Sequence, residues 1–144
     1  RMWKANRTQL VRRLDRWALS ADRPPVLKLM LLGEPAGLPV LAEEVRREVP
    51  GVTVTSSGKG NLEINAAGVS KATGLAALGE KLGIPREEMI AFGDSDNDVD
   101  MLRYVGLGVA MGNAAAHVKA AADRVAPCCE EDGVACVLEE VCGR

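Results

Sequence analysis

Six residues, Gly93-Asp94-Ser95-Asp96-Asn97-Asp98, follow directly on the apolar segment Ile90-Ala91-Phe92. A short apolar run bounded by turn residues reads as a buried strand. An acidic loop at its end therefore sits at the carboxyl end of a strand, where open parallel sheets bind their ligands. With Asp100 the segment holds four carboxylates within seven residues. Their mutual repulsion calls for a cation or a protonation shift. Hard oxygen donors in small number suit Mg²⁺, which keeps several waters and binds one or two carboxylates together with a substrate phosphate. The competing reading is a solvated acidic turn, since Asp is favourable near the start of the next helix. A calcium loop would need Gly at its sixth and Glu at its twelfth position, and these are Val99 and Val105. Gly58-Lys59 resembles the end of a P-loop, but the required glycine is replaced by Thr53.

The rest of the chain alternates in a way that gives this loop a setting. Leu10, Leu14 and Trp17 mark an amphipathic helix over residues 6–20, broken by Asp22-Arg23-Pro24-Pro25. Val26–Leu32 reads as a buried strand, Leu38–Val49 as a helix, Val52–Ser56 and Leu62-Glu63-Ile64 as strands. From Ala66 the rhythm is stricter. Ser70 caps a helix to about Leu82, with Leu75, Leu78 and Leu82 on one face. Then follow a strand at Met89–Phe92, a helix at Val99–Tyr104, a strand at Gly106–Met111, a helix at Ala114–Ala122, a strand at Arg124–Ala126 and a helix at Gly133–Val141. Such alternation predicts an α/β fold: a partial Rossmann-like parallel sheet with helices on both faces over residues 66–144. A smaller α+β unit over residues 1–65 precedes it.

Charge and composition narrow the function. The chain has 144 residues, a net charge of −2 and 47% hydrophobic but only 3% aromatic residues. That is a soluble, aliphatic-core balance without the basic field that nucleic acid requires. Its apolar runs fall far short of the ~20 residues of a membrane helix, and no signal peptide opens it, so the expected compartment is cytoplasmic. Cys128, Cys129, Cys136 and Cys142 show no C-x-x-C pair, which argues against a zinc site, and adjacent cysteines seldom bridge each other. Reduced thiols, some buried as small hydrophobes, are expected. His117 and Lys119 read as ordinary helix-surface residues.

A second signal is Lys71, directly after Ser70. A cation at a helix N-terminus opposes the macrodipole, by roughly 0.3–1 kcal/mol, unless a carboxylate or a bound phosphate lies nearby. Taken alone, an ordinary surface lysine is the better explanation. Taken in order, Glu63-Ile64, Gly68-Val69-Ser70-Lys71, Gly83-Ile84, the run Glu88 to Asp98, Met101-Leu102, Gly108-Val109-Ala110-Met111-Gly112-Asn113-Ala114 and Glu131-Asp132-Gly133 form a much more specific pattern. It resembles the C-terminal half of the haloacid dehalogenase superfamily, and within it the Cof-type phosphatases with a large α/β cap. Residues 60–140 match closely; residues 8–60 resemble the rear of the cap more loosely.

The resemblance implies roles. Lys71 would steady the substrate phosphate and the phosphorylated aspartate, Asp94 would be a Mg²⁺ ligand, Asp98 would help hold the metal and orient the lysine, and Asn97 would lie beside the phosphate. It also implies a D-x-D-G-T nucleophile motif, which is missing: the only aspartates before Lys71 are Asp15 and Asp22. Two expectations follow. The chain is the C-terminal part of a Mg²⁺-dependent phosphohydrolase of small, sugar-type phosphate esters, its nucleophile lying outside this sequence. Alternatively it is an inactive binding or assembly module that keeps a metal/phosphate pocket. Either way, sheet edges lacking a partner favour a homodimer that completes the sheet.

Overall fold

The computed structural model describes residues 26–143. The helix expected over residues 6–20, together with Asp15 and Asp22, lies outside them. The first part comprises β1 (Leu29–Leu32), α1 (Leu38–Glu48), β2 (Val52–Thr55) and β3 (Asn61–Ala66). β3 is central and antiparallel to both neighbours, in the order β1-β3-β2. Strand alternation sends Val54 and Leu62 toward α1, where they pack with Leu38 and Ala42. The opposite face carries Glu63, directly across from Met30 on one side and Thr55 on the other. Among the described residues one helix layer covers one face of this sheet, which corrects the reading of Val26–Leu32 as a buried strand. The strand begins at Leu29, and Met30 and Leu32 are exposed.

The second part comprises α2 (Lys71–Leu82), β4 (Ile90–Gly93), α3 (Val99–Tyr104), β5 (Leu107–Ala110), α4 (Ala116–Lys119), β6 (Arg124–Val125) and α5 (Gly133–Cys142). Its three strands are parallel, in the order β4-β5-β6. Helices cover both faces of the sheet. Ala91 and Ala110 pack with Leu102 and Val118 on one side; Val109, Met111 and Ala126 pack with Val137 of α5 on the other. The α/β class expected from the alternation is the one observed.

Three expectations change in detail. In α2 the buried stripe runs through Leu75 and Gly79, while Leu78 and Leu82 are 50% and 58% exposed. Gly79 sets that rotation: a Cβ there would overlap the Met89 side chain and lie 2.8 Å from the Ile84 carbonyl oxygen. α4 is shorter than Ala114–Ala122, because the chain must leave the helix to enter β6. The Asp123 N–H donates to the Gly108 carbonyl at 2.9 Å, and the Asp123 carboxylate accepts from the Gly108 N–H at 2.8 Å. None of the four cysteines is fully buried or disulfide-bonded; Cys128 and Cys136 are half-buried and the other two exposed. No helix among the described residues is long and apolar enough to cross a membrane.

Candidate functional site

The acidic loop leaves β4 at its carboxyl end and passes through a 3₁₀ turn, Asp96–Asp98, into α3. Asp98 turns inward and is 4% exposed. One of its oxygens, Oδ2, accepts from the N–H groups of Asp94 (3.0 Å) and Ser95 (3.1 Å), which fixes the loop's backbone. The other, Oδ1, is ion-paired with Lys71 Nζ. Gly93 makes this possible, since a Cβ there would overlap Asp98 Cβ and lie 2.8 Å from its Cγ. Lys71 opens α2 behind a capping box in which Ser70 Oγ accepts from the Thr73 N–H and Thr73 Oγ1 accepts from the Ser70 N–H at 3.0 Å. The anion that offsets a lysine at this helix start is therefore the carboxylate of Asp98, 27 residues further along.

Asp94 is exposed, and each of its oxygens accepts one hydrogen bond: Oδ1 from Ser95 Oγ at 3.1 Å, Oδ2 from Asn113 Nδ2 at 3.0 Å. Asn113 has no role in the sequence reading. Its signal was positional, for Gly112-Asn113 follows β5 just as the acidic loop follows β4, at the carboxyl end of a parallel strand. His117, exposed as expected, also places Nε2 2.6 Å from Asp96 Oδ1 and so ties α4 to the loop.

Asn97 faces the antiparallel sheet. Its N–H donates to the Ser56 carbonyl at 3.3 Å, and Nδ2 donates to Glu63 Oε2 at 3.4 Å. Its Oδ1 is buried and has no hydrogen-bond partner among the described residues. Glu63, also 4% exposed, accepts from Lys28 Nζ at 2.7 Å and from Ser57 Oγ at 2.7 Å. The Lys28 ammonium, then the Ser57 hydroxyl, hold its carboxyl below the usual carboxylate value against the opposing effect of burial. Sequence reasoning placed Glu63 in the motif without a function.

Lys28, Glu63, Lys71, Asp96, Asn97 and Asp100 line a cavity of about 220 Å³ between the sheets. A larger groove of about 590 Å³ runs along α1 and shares Thr55 and Asp96 with it, but Lys71 and Asn97 line only the smaller one. Of the four residues singled out from the sequence, Lys71 and Asn97 line this cavity, Asp98 meets it through Lys71, and Asp94 lies on the same loop, bonded to Ser95 and Asn113, and does not line it. Among the described residues no three His, Cys, Asp or Glu side chains form a metal-holding group. The donor set that is present, one exposed carboxylate beside a second that anchors the loop, fits a hard cation that keeps most of its waters.

A parallel sheet with this loop at the end of β4, a lysine delivered by α2 and an antiparallel sheet facing both defines a haloacid dehalogenase-type α/β protein. Family comparison agrees: the model for haloacid dehalogenase-like hydrolases matches residues 2–138, and the chain belongs to that family, in its Cof-type branch. It is 51% identical over 79 residues, 55% of its own length, to the 5-amino-6-(5-phospho-D-ribitylamino)uracil phosphatase YitU of Bacillus subtilis, covering 29% of that protein. A haloacid dehalogenase-like hydrolase of B. subtilis superposes with a TM-score of 0.74 at 34% identity, over 83% of this chain and 42% of that one. A subclass IIB sugar phosphatase gives a TM-score of 0.74 at 30% identity, over 82% and 44%. The matched stretch thus spans less than half the length of each of these proteins.

Proposed function

We propose that the chain is the C-terminal part of a Mg²⁺-dependent phosphohydrolase acting in the cytoplasm on small, sugar-type phosphate esters. The carrying observation is the ion pair between half-exposed Lys71 and the Asp98 carboxylate, which is buried beneath the Asp94 loop at the end of β4. Residues 66–144 form the catalytic core in this reading, and residues 1–65 the part of the cap that selects substrate. Lys71 binds the phosphate, its ammonium held in place by Asp98. Asn97 lies beside it. Asp94, whose oxygens each keep a free lone pair, would ligate Mg²⁺, which when bound neutralises charge on the phosphoryl oxygens. With both oxygens engaged, Asp98 supports the metal site through the backbone of its loop. Phosphoryl transfer needs chiefly such positioning and charge neutralisation. The carboxylate that accepts the phosphoryl group as an aspartyl phosphate comes from outside this sequence. The sugar-phosphate class is supported by the substrates in the names of the relatives. The exposed Leu78 and Leu82 favour a homodimer.

Calorimetric titration of the chain with inorganic phosphate and Mg²⁺ tests the pocket. Binding that Asp94→Asn weakens by about tenfold or more is expected, the loss of one charged metal ligand. Equal binding by the variant removes Asp94 from the site. Hydrolysis of an aryl phosphate by the chain alone would instead place a nucleophile within it.

A further inference from the structure

Glu63 and Asp98 are the two buried charged side chains among the described residues. Asp98 is accounted for by its loop and Lys71. Glu63 is paired within its own sheet by Lys28, just before β1, and Ser57 of the β2–β3 turn, yet its cross-strand neighbours Met30 and Thr55 need no carboxylate, and its third partner, Asn97, belongs to the acidic loop. A buried carboxylate is costly unless it is paired, and of its three partners Lys28 and Asn97 line the same cavity as Lys71. Ser57, whose hydroxyl donates to Glu63 Oε1, has its carbonyl 3.3 Å from Ser95 Oγ, whose one proton it shares with Asp94 Oδ1. Ser56 next to it takes the Asn97 N–H, and Glu63 Oε2 takes the Asn97 side-chain amide. Two residues of the acidic loop are thus stitched to the antiparallel sheet, and Glu63 lies where the stitches converge.

We propose that Glu63 is a positioning residue of the phosphate pocket, fixing the orientation of the Asn97 amide from the opposing sheet. The proposal rests on the reading that this pocket takes a phosphate ester. Its physical basis is sign: a carboxylate accepts only, so Asn97 must turn Nδ2 toward Glu63 and Oδ1 away from it. Lys28, about half exposed, balances the charge at Oε2, the same oxygen that takes the Asn97 amide. An amide oriented by a buried anion cannot flip without facing oxygen against oxygen. With one Nδ2 hydrogen held by Glu63 and Oδ1 buried, the second Nδ2 hydrogen is the group Asn97 can donate to a phosphate oxygen, its direction set before ligand arrives.

The test is a double-mutant cycle on the affinity of the 144-residue chain for inorganic phosphate in the presence of Mg²⁺. Glu63→Thr suits a strand and is too short to reach Asn97; it is expected to weaken binding about tenfold, the loss of one hydrogen bond to a charged group. Glu63→Gln, which keeps an acceptor at the same reach, should restore affinity to within about threefold of the parent. Asn97→Ala should weaken binding about tenfold, and adding Glu63→Thr to it should change nothing further. Should Glu63→Thr lose the parent's far-UV circular dichroism, Glu63→Ser takes its place in the cycle. Parent-like affinity of the short variant, or additive losses approaching a hundredfold, overturns the positioning role alone. Absence of phosphate binding by the parent overturns the functional reading and this proposal with it.

Discussion

Asp98 collects its donors from within four residues and from Lys71, whereas Glu63 collects them from β3's approach partner Lys28, from the β2–β3 turn and from the acidic loop. This difference gives Glu63 a measurable signature in acid. Its folded pKa is depressed, chiefly by the Lys28 ammonium, from an ordinary value of 4.5. A depressed carboxylate stabilises the fold in full above the unfolded value and loses that contribution as pH falls through the folded one. Urea midpoints of the parent and Glu63→Gln from about pH 7 down to about pH 3 should therefore differ most at the upper end and converge toward the lower. A gap that stays constant across the range would mean that Glu63 does not titrate with folding.

The helix start at Ser70 is where local sequence and site geometry meet. Ser70 and Thr73 satisfy each other's backbone N–H groups, and the next residue after the cap is Lys71. Removing the hydroxyl with Ser70→Ala should cost about 0.5–2 kcal/mol in chemical denaturation; an unchanged midpoint would show that α2 is held by its packing alone. This element was legible because capping is local. So were α1, α3 and α5, and β4 to within one residue at each end, whose apolar periods and glycines sit next to one another in the sequence. The pairing of Lys71 with Asp98 was legible only through the order of motifs, since no spacing rule brings Lys71 to Asp98. What the sequence did not disclose depends on tertiary approach. Leu78 and Leu82 fit a helical stripe as well as Leu75 does, yet Gly79 admits Met89 and turns the helix so that they face out. Alanine content extended α4 on paper, and the Asp123–Gly108 pairing ends it. Glu63 and Asn113 became visible as site residues only once both sheets were in place.

At the scale of the molecule, the two sheets have separate cores: Leu38, Ala42, Val54 and Leu62 in one, and the clusters around Leu102 and Val109 in the other. What joins them at the site is polar, the hydrogen bonds from Ser95 and Asn97 to the β2–β3 turn and to Glu63. A polar seam lets the sheets meet around a ligand, but it does nothing to cover apolar surface elsewhere. Among the described residues β4 has a strand neighbour on one side only, and Leu78, Leu82 and Ile84 remain exposed in and just after α2. Each Å² of such surface withdrawn from water is worth about 25 cal/mol, and an unpaired strand edge adds a template for pairing. The chain is therefore expected to self-associate, with a light-scattering mass above that of a monomer that falls toward it on dilution. Leu78→Lys combined with Leu82→Lys should shift the equilibrium to monomer while leaving phosphate affinity unchanged, because neither leucine lines the cavity. A parent chain that stays monomeric at every concentration would show that the exposed stripe on α2 is too small to drive association.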